Sequence, residues 1–77
     1  MSDLKVGRYQ HYKGNFYAVV GNAINSETLE EVVVYRALYE STEFGKNVLW
    51  VRSKKDFLGN VTKDGKEIPR FAYICKI

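Results

Sequence analysis

The sequence predicts an all-β domain, a small barrel or rolled sheet of about five or six short strands. Three observations predict it. Short runs rich in β-branched and aromatic residues recur along the chain, with Val32-Val33-Val34-Tyr35 the strongest. Turn chemistry separates them, as at Lys13-Gly14-Asn15 and Asp64-Gly65. No long run shows the spacing of a convincing helix, and 77 residues suffice for one domain, taken as residues 1–77. Closure of the sheet would also remove the exposed edges that a small β protein must manage.

Taken in order, Val6 to Tyr12 reads as a first strand, and Lys13-Gly14-Asn15 as a tight turn because Gly and Asn tolerate positive φ. Phe16 to Ile24 is a second strand, in which Gly21 signals a bulge or sharp bend. Asn25-Ser26-Glu27-Thr28 is a polar turn. Glu30 to Tyr39 follows as a third strand; Glu, Leu and Ala favour a competing helix over Glu27 to Glu40, but the valine run opposes it. Glu40 to Asn47 reads as an exposed loop, and Val48 to Arg52 as a strand carrying Trp50. Ser53 can cap one helical or 3₁₀ turn over residues 53–58, with Asp56 three positions on and Gly59 closing it in the left-handed conformation. Val61-Thr62 and Lys66 to Ile68 flank the Asp64-Gly65 hairpin signal, Pro69 belongs at a strand edge, and Arg70 to Ile74 is the last strand.

Composition narrows the function classes. The chain is 45% hydrophobic and 27% charged, which excludes disorder and a fibrous repeat. One Cys and one His exclude an internal disulfide, a Cys-rich zinc site and a multi-His metal cluster, so neither a metal nor another cofactor is expected. No Gly-rich phosphate loop or nucleophile elbow is present. No run approaches the roughly 18 apolar residues of a membrane span. The opening Met-Ser-Asp-Leu-Lys lacks an apolar signal core, so a cytoplasmic location away from membranes is the expectation. The glycosylation sequon Asn60-Val61-Thr62 is then a chance match.

Net charge is +3, and the halves differ. Residues 1–39 carry four basic and four acidic residues, whereas residues 40–77 carry eight and five. Lys54, Lys55, Lys63, Lys66, Arg70 and Lys76 can form a basic face toward a nucleotide or nucleic acid, or serve only solubility. A domain this small gains from dimerisation, so monomer and homodimer both stay open.

Several residues could carry chemistry. His11 suits acid–base work if a partner such as Glu27 lies near; otherwise it bonds a turn or packs among Tyr9 and Tyr12. Cys75 in an apolar strand reads as a buried small hydrophobe. Ser26, Glu27 and Thr28 offer hydroxyls and a carboxylate, or simply stabilise their turn. On a strand Arg36 lies opposite in parity to Tyr35 and Tyr39, whereas Trp50 and Arg52 share a face. That pair can stack as structure or offer a platform to a planar or anionic ligand.

These residues fall into ordered motifs. Gly7-x-Tyr9-x-His11-Tyr12-Lys13-Gly14 opens the series, followed by Ser26-Glu27-Thr28, Val34-Tyr35-Arg36-x-Leu38-Tyr39, Leu49-Trp50-Val51-Arg52, Phe57 and Arg70-Phe71. Together they resemble the bacterial domain-of-unknown-function family 1653 over about residues 6–74. The resemblance implies an SH3-like β-barrel and no established activity, substrate or cofactor. The chain departs from the family at Ser53, where a Pro usually follows the Trp-x-Arg motif.

The matching motif residues are His11, Glu27, Thr28, Tyr35, Trp50, Arg52 and Arg70, more polar than a packing core needs. They form the candidate binding set, with no catalytic or metal-ligating residue assigned. A non-catalytic binding module for a nucleotide, nucleic acid or peptide is the leading reading. Two others stand beside it: a structural or regulatory domain with a buried polar network, and a small acid–base enzyme using His11 and Glu27.

Overall fold

A computed structural model of the protein describes residues 4–76; the Met-Ser-Asp start that was read for a signal lies outside them. The described chain forms β1 (Gly7–His11), β2 (Phe16–Ile24), β3 (Glu31–Ala37), β4 (Glu40–Ser41), β5 (Gly45–Lys46), β6 (Leu49–Ser53), α1 (Lys54–Phe57), β7 (Asn60–Lys63), β8 (Lys66–Pro69) and β9 (Phe71–Cys75). The all-β class holds. The main unit is a five-stranded antiparallel sheet in the order β6-β3-β2-β1-β9, with β4-β5 and β7-β8 as separate two-stranded ladders.

The sheet rolls but does not close into the expected barrel, because its end strands β6 and β9 do not pair with each other. Side chains bridge the ends instead. The Arg52 guanidinium from β6 sits 5.6 Å from the Phe71 ring centre of β9. Phe57 from α1 stacks on Phe71 at 4.1 Å with the planes 9° apart.

The inward face carries the core: Tyr9, Val19, Val33, Tyr35, Phe57 and Phe71, with Leu4, Tyr17 and Trp50 packed against it. Period-2 alternation explains the choice. Tyr9 faces Tyr17 across β1-β2, Val19 faces Tyr35 across β2-β3, and Tyr35 faces Trp50 across β3-β6. The register shifts between Val19 and Gly21, which makes Val20 the extra residue of a bulge at the point Gly21 predicts.

The turns follow local chemistry. Asp64 and Gly65 have φ of 53° and 76°, a two-residue type I′ turn joining β7 to β8. The side chain of Ser53 accepts a hydrogen bond from the Asp56 amide at 3.1 Å, so it caps α1 as expected. Gly59 does not adopt the left-handed conformation: α1 ends on Leu58 at φ −87°. Gly59 answers a space constraint instead, since a Cβ there would lie 3.2 Å from the Lys55 carbonyl oxygen.

Two further expectations need correction. The Glu40–Asn47 loop forms its own ladder, pairing Glu40 with Lys46 and Ser41 with Gly45, while the Ser41 hydroxyl accepts from the amides of Glu43 and Phe44. Cys75 is exposed rather than buried. It lies opposite Arg8 on an edge strand that keeps Phe71 buried but leaves every later described residue open. Among the described residues no helix is long and apolar enough to cross a membrane.

Candidate functional site: an aromatic face ringed by cations

The site grows from the β1-β2 turn and the neighbouring ends of β6 and β9. His11 ends β1 opposite Phe71. Its ring meets Phe71 edge-on at 4.9 Å, Tyr12 at 4.6 Å and Tyr17 at 6.3 Å. The amide of Lys13 donates to His11 Nδ1 at 3.2 Å. The neutral imidazole therefore carries its proton on Nε2, where it serves as a donor. Burial lowers the His11 pKa below its usual value, and the charges of Arg52, Lys13 and Arg70 lower it further.

Three tyrosine rings, Tyr17, Tyr35 and Tyr39, continue the face from His11 through Tyr17. Tyr17 and Tyr39 share a hydrogen bond of 3.0 Å between their hydroxyls. Arg52 Nε lies 3.4 Å from the Tyr35 hydroxyl, a long and weak donation that leaves most of the guanidinium uncommitted. Burial, reinforced by the hydroxyl bond shared with Tyr39, raises the pKa of the Tyr17 phenol far above its usual value. The Tyr17 ring also meets Tyr35 at 5.3 Å and Phe71 at 5.7 Å edge-on, which ties the hydroxyls to the core.

Arg70 enters from the link between β8 and β9. Its backbone stitches three segments together: its amide donates to the Gly59 carbonyl at 3.0 Å, and its carbonyl accepts from the Tyr12 amide at 2.9 Å. Arg70 Nε is buried without a hydrogen-bond partner, as is Trp50 Nε1. Buried donors of this kind are costly to leave unpaired. Neither Arg52 nor Arg70 pairs with a carboxylate among the described residues, where the salt bridge is Lys54 to Glu31 at 3.6 Å.

The sequence-derived set therefore divides. The structure gathers His11, Tyr35, Arg52 and Arg70 about Phe71, with Trp50 next along β6. It places Glu27 and Thr28 elsewhere, in the exposed turn after β2. There the Asn25 side chain accepts from the amides of Glu27 and Thr28, and the Thr28 hydroxyl accepts from the Glu30 amide. That turn lies at the opposite end of nine-residue β2 from His11. No hydrogen bond joins His11 and Glu27, and neither arginine reaches Glu27 in a buried pair.

Tyr17, Tyr39 and Phe71 complete the face without having been singled out as site residues. Parity alone gives Tyr17, which faces Tyr9 in the β1-β2 register. Phe71 becomes visible only once β9 is known to pair with β1. No three of His, Cys, Asp and Glu converge on a metal geometry among the described residues.

Comparison with known proteins locates this arrangement in a family. The family model described as a protein of unknown function, DUF1653, matches residues 7–73. The chain belongs to the DUF1653 family. A crystal structure of a DUF1653 protein from Bordetella bronchiseptica is similar to it, with 35% identity and a TM-score of 0.86 over 97% of this chain and 92% of that one. No curated protein is significantly similar to the chain. The DUF1653 match runs from Gly7 to Tyr73, so every residue of the aromatic face lies inside it.

Proposed function

We propose that this DUF1653 domain is a non-catalytic binding module for a ligand that joins an anionic group to a planar one, as a nucleotide does. His11, Arg52 and Arg70 receive the anion, while the half-buried Tyr17 and Trp50 supply aromatic surface, backed by the buried Tyr35 and Phe71 of the core. One observation carries the reading: the Arg52 guanidinium lies over the same Phe71 ring that His11 meets edge-on, and neither it nor Arg70 has a carboxylate partner among the described residues. A structural network would be expected to neutralise its own charge. A cytoplasmic setting, where nucleotides are abundant, goes with this reading.

The acid–base reading has no support from geometry, since its two residues sit at opposite ends of β2. The structural reading is tested against the binding one by Arg52→Ala. Arg52 has one long bond to Tyr35 and no ion pair. The binding reading predicts a loss within about 1 kcal/mol, because the one hydrogen bond lost is long and weak. The structural reading predicts roughly 3–5 kcal/mol.

Titration of the isotope-labelled domain with nucleotides, short oligonucleotides and peptide pools provides the direct test. Shifts at His11, Tyr35, Trp50, Arg52 and Arg70 are expected with the anionic nucleotides. Unmoved signals at all five would end the binding reading.

A further inference from the structure

The donors at this face suit one kind of anion better than the others. Resting on the binding-module reading, we propose that the face takes a phosphate monoester, a terminal dianionic phosphate, in preference to a phosphodiester or a carboxylate.

Charge is the first argument. Arg52 and Arg70 bring two permanent positive charges, and the described structure gives neither an acidic partner. A dianion neutralises both, whereas a diester or a carboxylate leaves one uncompensated. Donor supply is the second. Arg70 Nε is buried and unpartnered, the Arg52 guanidinium is engaged only by its long contact with Tyr35, and His11 Nε2 carries the proton that Nδ1 cannot hold. These are several N–H groups with no built-in acceptor, which matches the three terminal oxygens of a monoester better than the two of a diester.

His11 adds the third argument. The groups facing it are Lys13 and Tyr12 from the β1-β2 turn, Tyr17 from β2, Arg52 from β6, Arg70 from the link between β8 and β9, and Phe71 at the start of β9. All the charged ones are positive. A bound dianion offsets the positive field around the ring and favours its protonation, which adds a further positive charge toward the anion. A monoanion offsets it less. The site thus discriminates by charge number.

Phenyl phosphate and methyl phenyl phosphate test this directly, because they share a ring and differ by one negative charge at pH 7.5. Binding is followed by the NMR signals of the His11 ring and the tyrosine rings. Phenyl phosphate is expected to bind at least about tenfold more tightly, the effect of one added charge near 4 Å at a partly shielded surface. The preference should collapse in both Arg52→Gln and Arg70→Gln, each checked for an intact fold by its amide spectrum. It should survive Lys66→Gln in the β7-β8 hairpin. The His11 titration midpoint should rise when phenyl phosphate saturates the domain.

A thymidine oligonucleotide with and without a 5′-phosphate separates two sources of the group. Tighter binding of the phosphorylated form assigns it to strand ends, binding of neither while phenyl phosphate binds assigns it to small phosphorylated molecules, and equally tight binding of both overturns the monoester preference. Equal affinity for the two phenyl probes, both shifting His11, overturns the monoester proposal and leaves the binding module standing. Failure of every anionic probe to move His11, Tyr17 and Tyr39 overturns both.

Discussion

Phe57→Ala should be the most damaging single truncation in this domain. Phe57 is 1% exposed and sits between the sheet and the short helix that delivers it. Its ring stacks on Phe71 at 4.1 Å, meets Tyr9 edge-on at 5.3 Å and tilts against Tyr35 at 5.4 Å. Truncation removes the ring that fills the gap between the unpaired ends of the sheet, and four-residue α1 cannot move inward without breaking its cap. The transfer loss and the unfilled cavity together cost about 3–5 kcal/mol. For 77 residues the whole stability is about 4–12 kcal/mol, so the loss is a large share of it. With roughly 2.1 cal/mol/K of unfolding entropy per residue, about 0.16 kcal/mol/K in all, Tm should fall by about 20–30 °C. Thermal and urea unfolding followed by circular dichroism measure this, and Phe57→Leu should fall in between. A loss below about 1.5 kcal/mol for the alanine variant would show that the site collapses freely, and would refute the view that this ring closes the fold.

Three further outcomes are expected. Gly7→Ala should cost about 2–4 kcal/mol, since a Cβ at φ +151° would lie 2.5 Å from the Cys75 carbonyl oxygen and force β9 off β1; urea midpoints measure it. Gly21→Ala is the matched control: nothing lies within 4 Å of its added Cβ, so it should stay within about 0.5 kcal/mol of the parent. Acidification should weaken the fold through His11, whose pKa is lowered by folding. The unfolded ring takes up its proton first, so stability is full above the unfolded value of about 6.5 and declines as pH falls from there through the lower folded value. NMR titration of His11 alongside urea midpoints at pH 7.5 and 5.5 checks this, and His11→Gln should flatten the pH dependence.

The parts of this fold that were legible in the sequence are those that local chemistry decides. Ser53 as a cap, Gly21 at a bulge and Asp64-Gly65 as a hairpin each follow from what one or two residues can do with their own backbone. Closure was not legible, because it depends on whether β6 and β9 come within hydrogen-bonding reach after four other pairings have set the curl. In the structure the bulky side chains of Arg52, Phe57 and Phe71 occupy the approach between the ends, and no backbone ladder forms there. The same distinction governs the site. Motif membership put Glu27 and Arg52 on equal terms, yet a nine-residue strand separates Glu27 from His11, while rolling of the sheet brings Arg52 across it. The pairing that assembles the aromatic face is β1 with β9, the two described strands farthest apart in sequence. That pairing sets His11 opposite Phe71, and Arg70 precedes Phe71 by one residue. The closing contact of the sheet is therefore also the contact that collects the cations. Loosening Phe71 should cost ligand affinity and stability together, whereas removing Arg70 should cost affinity first.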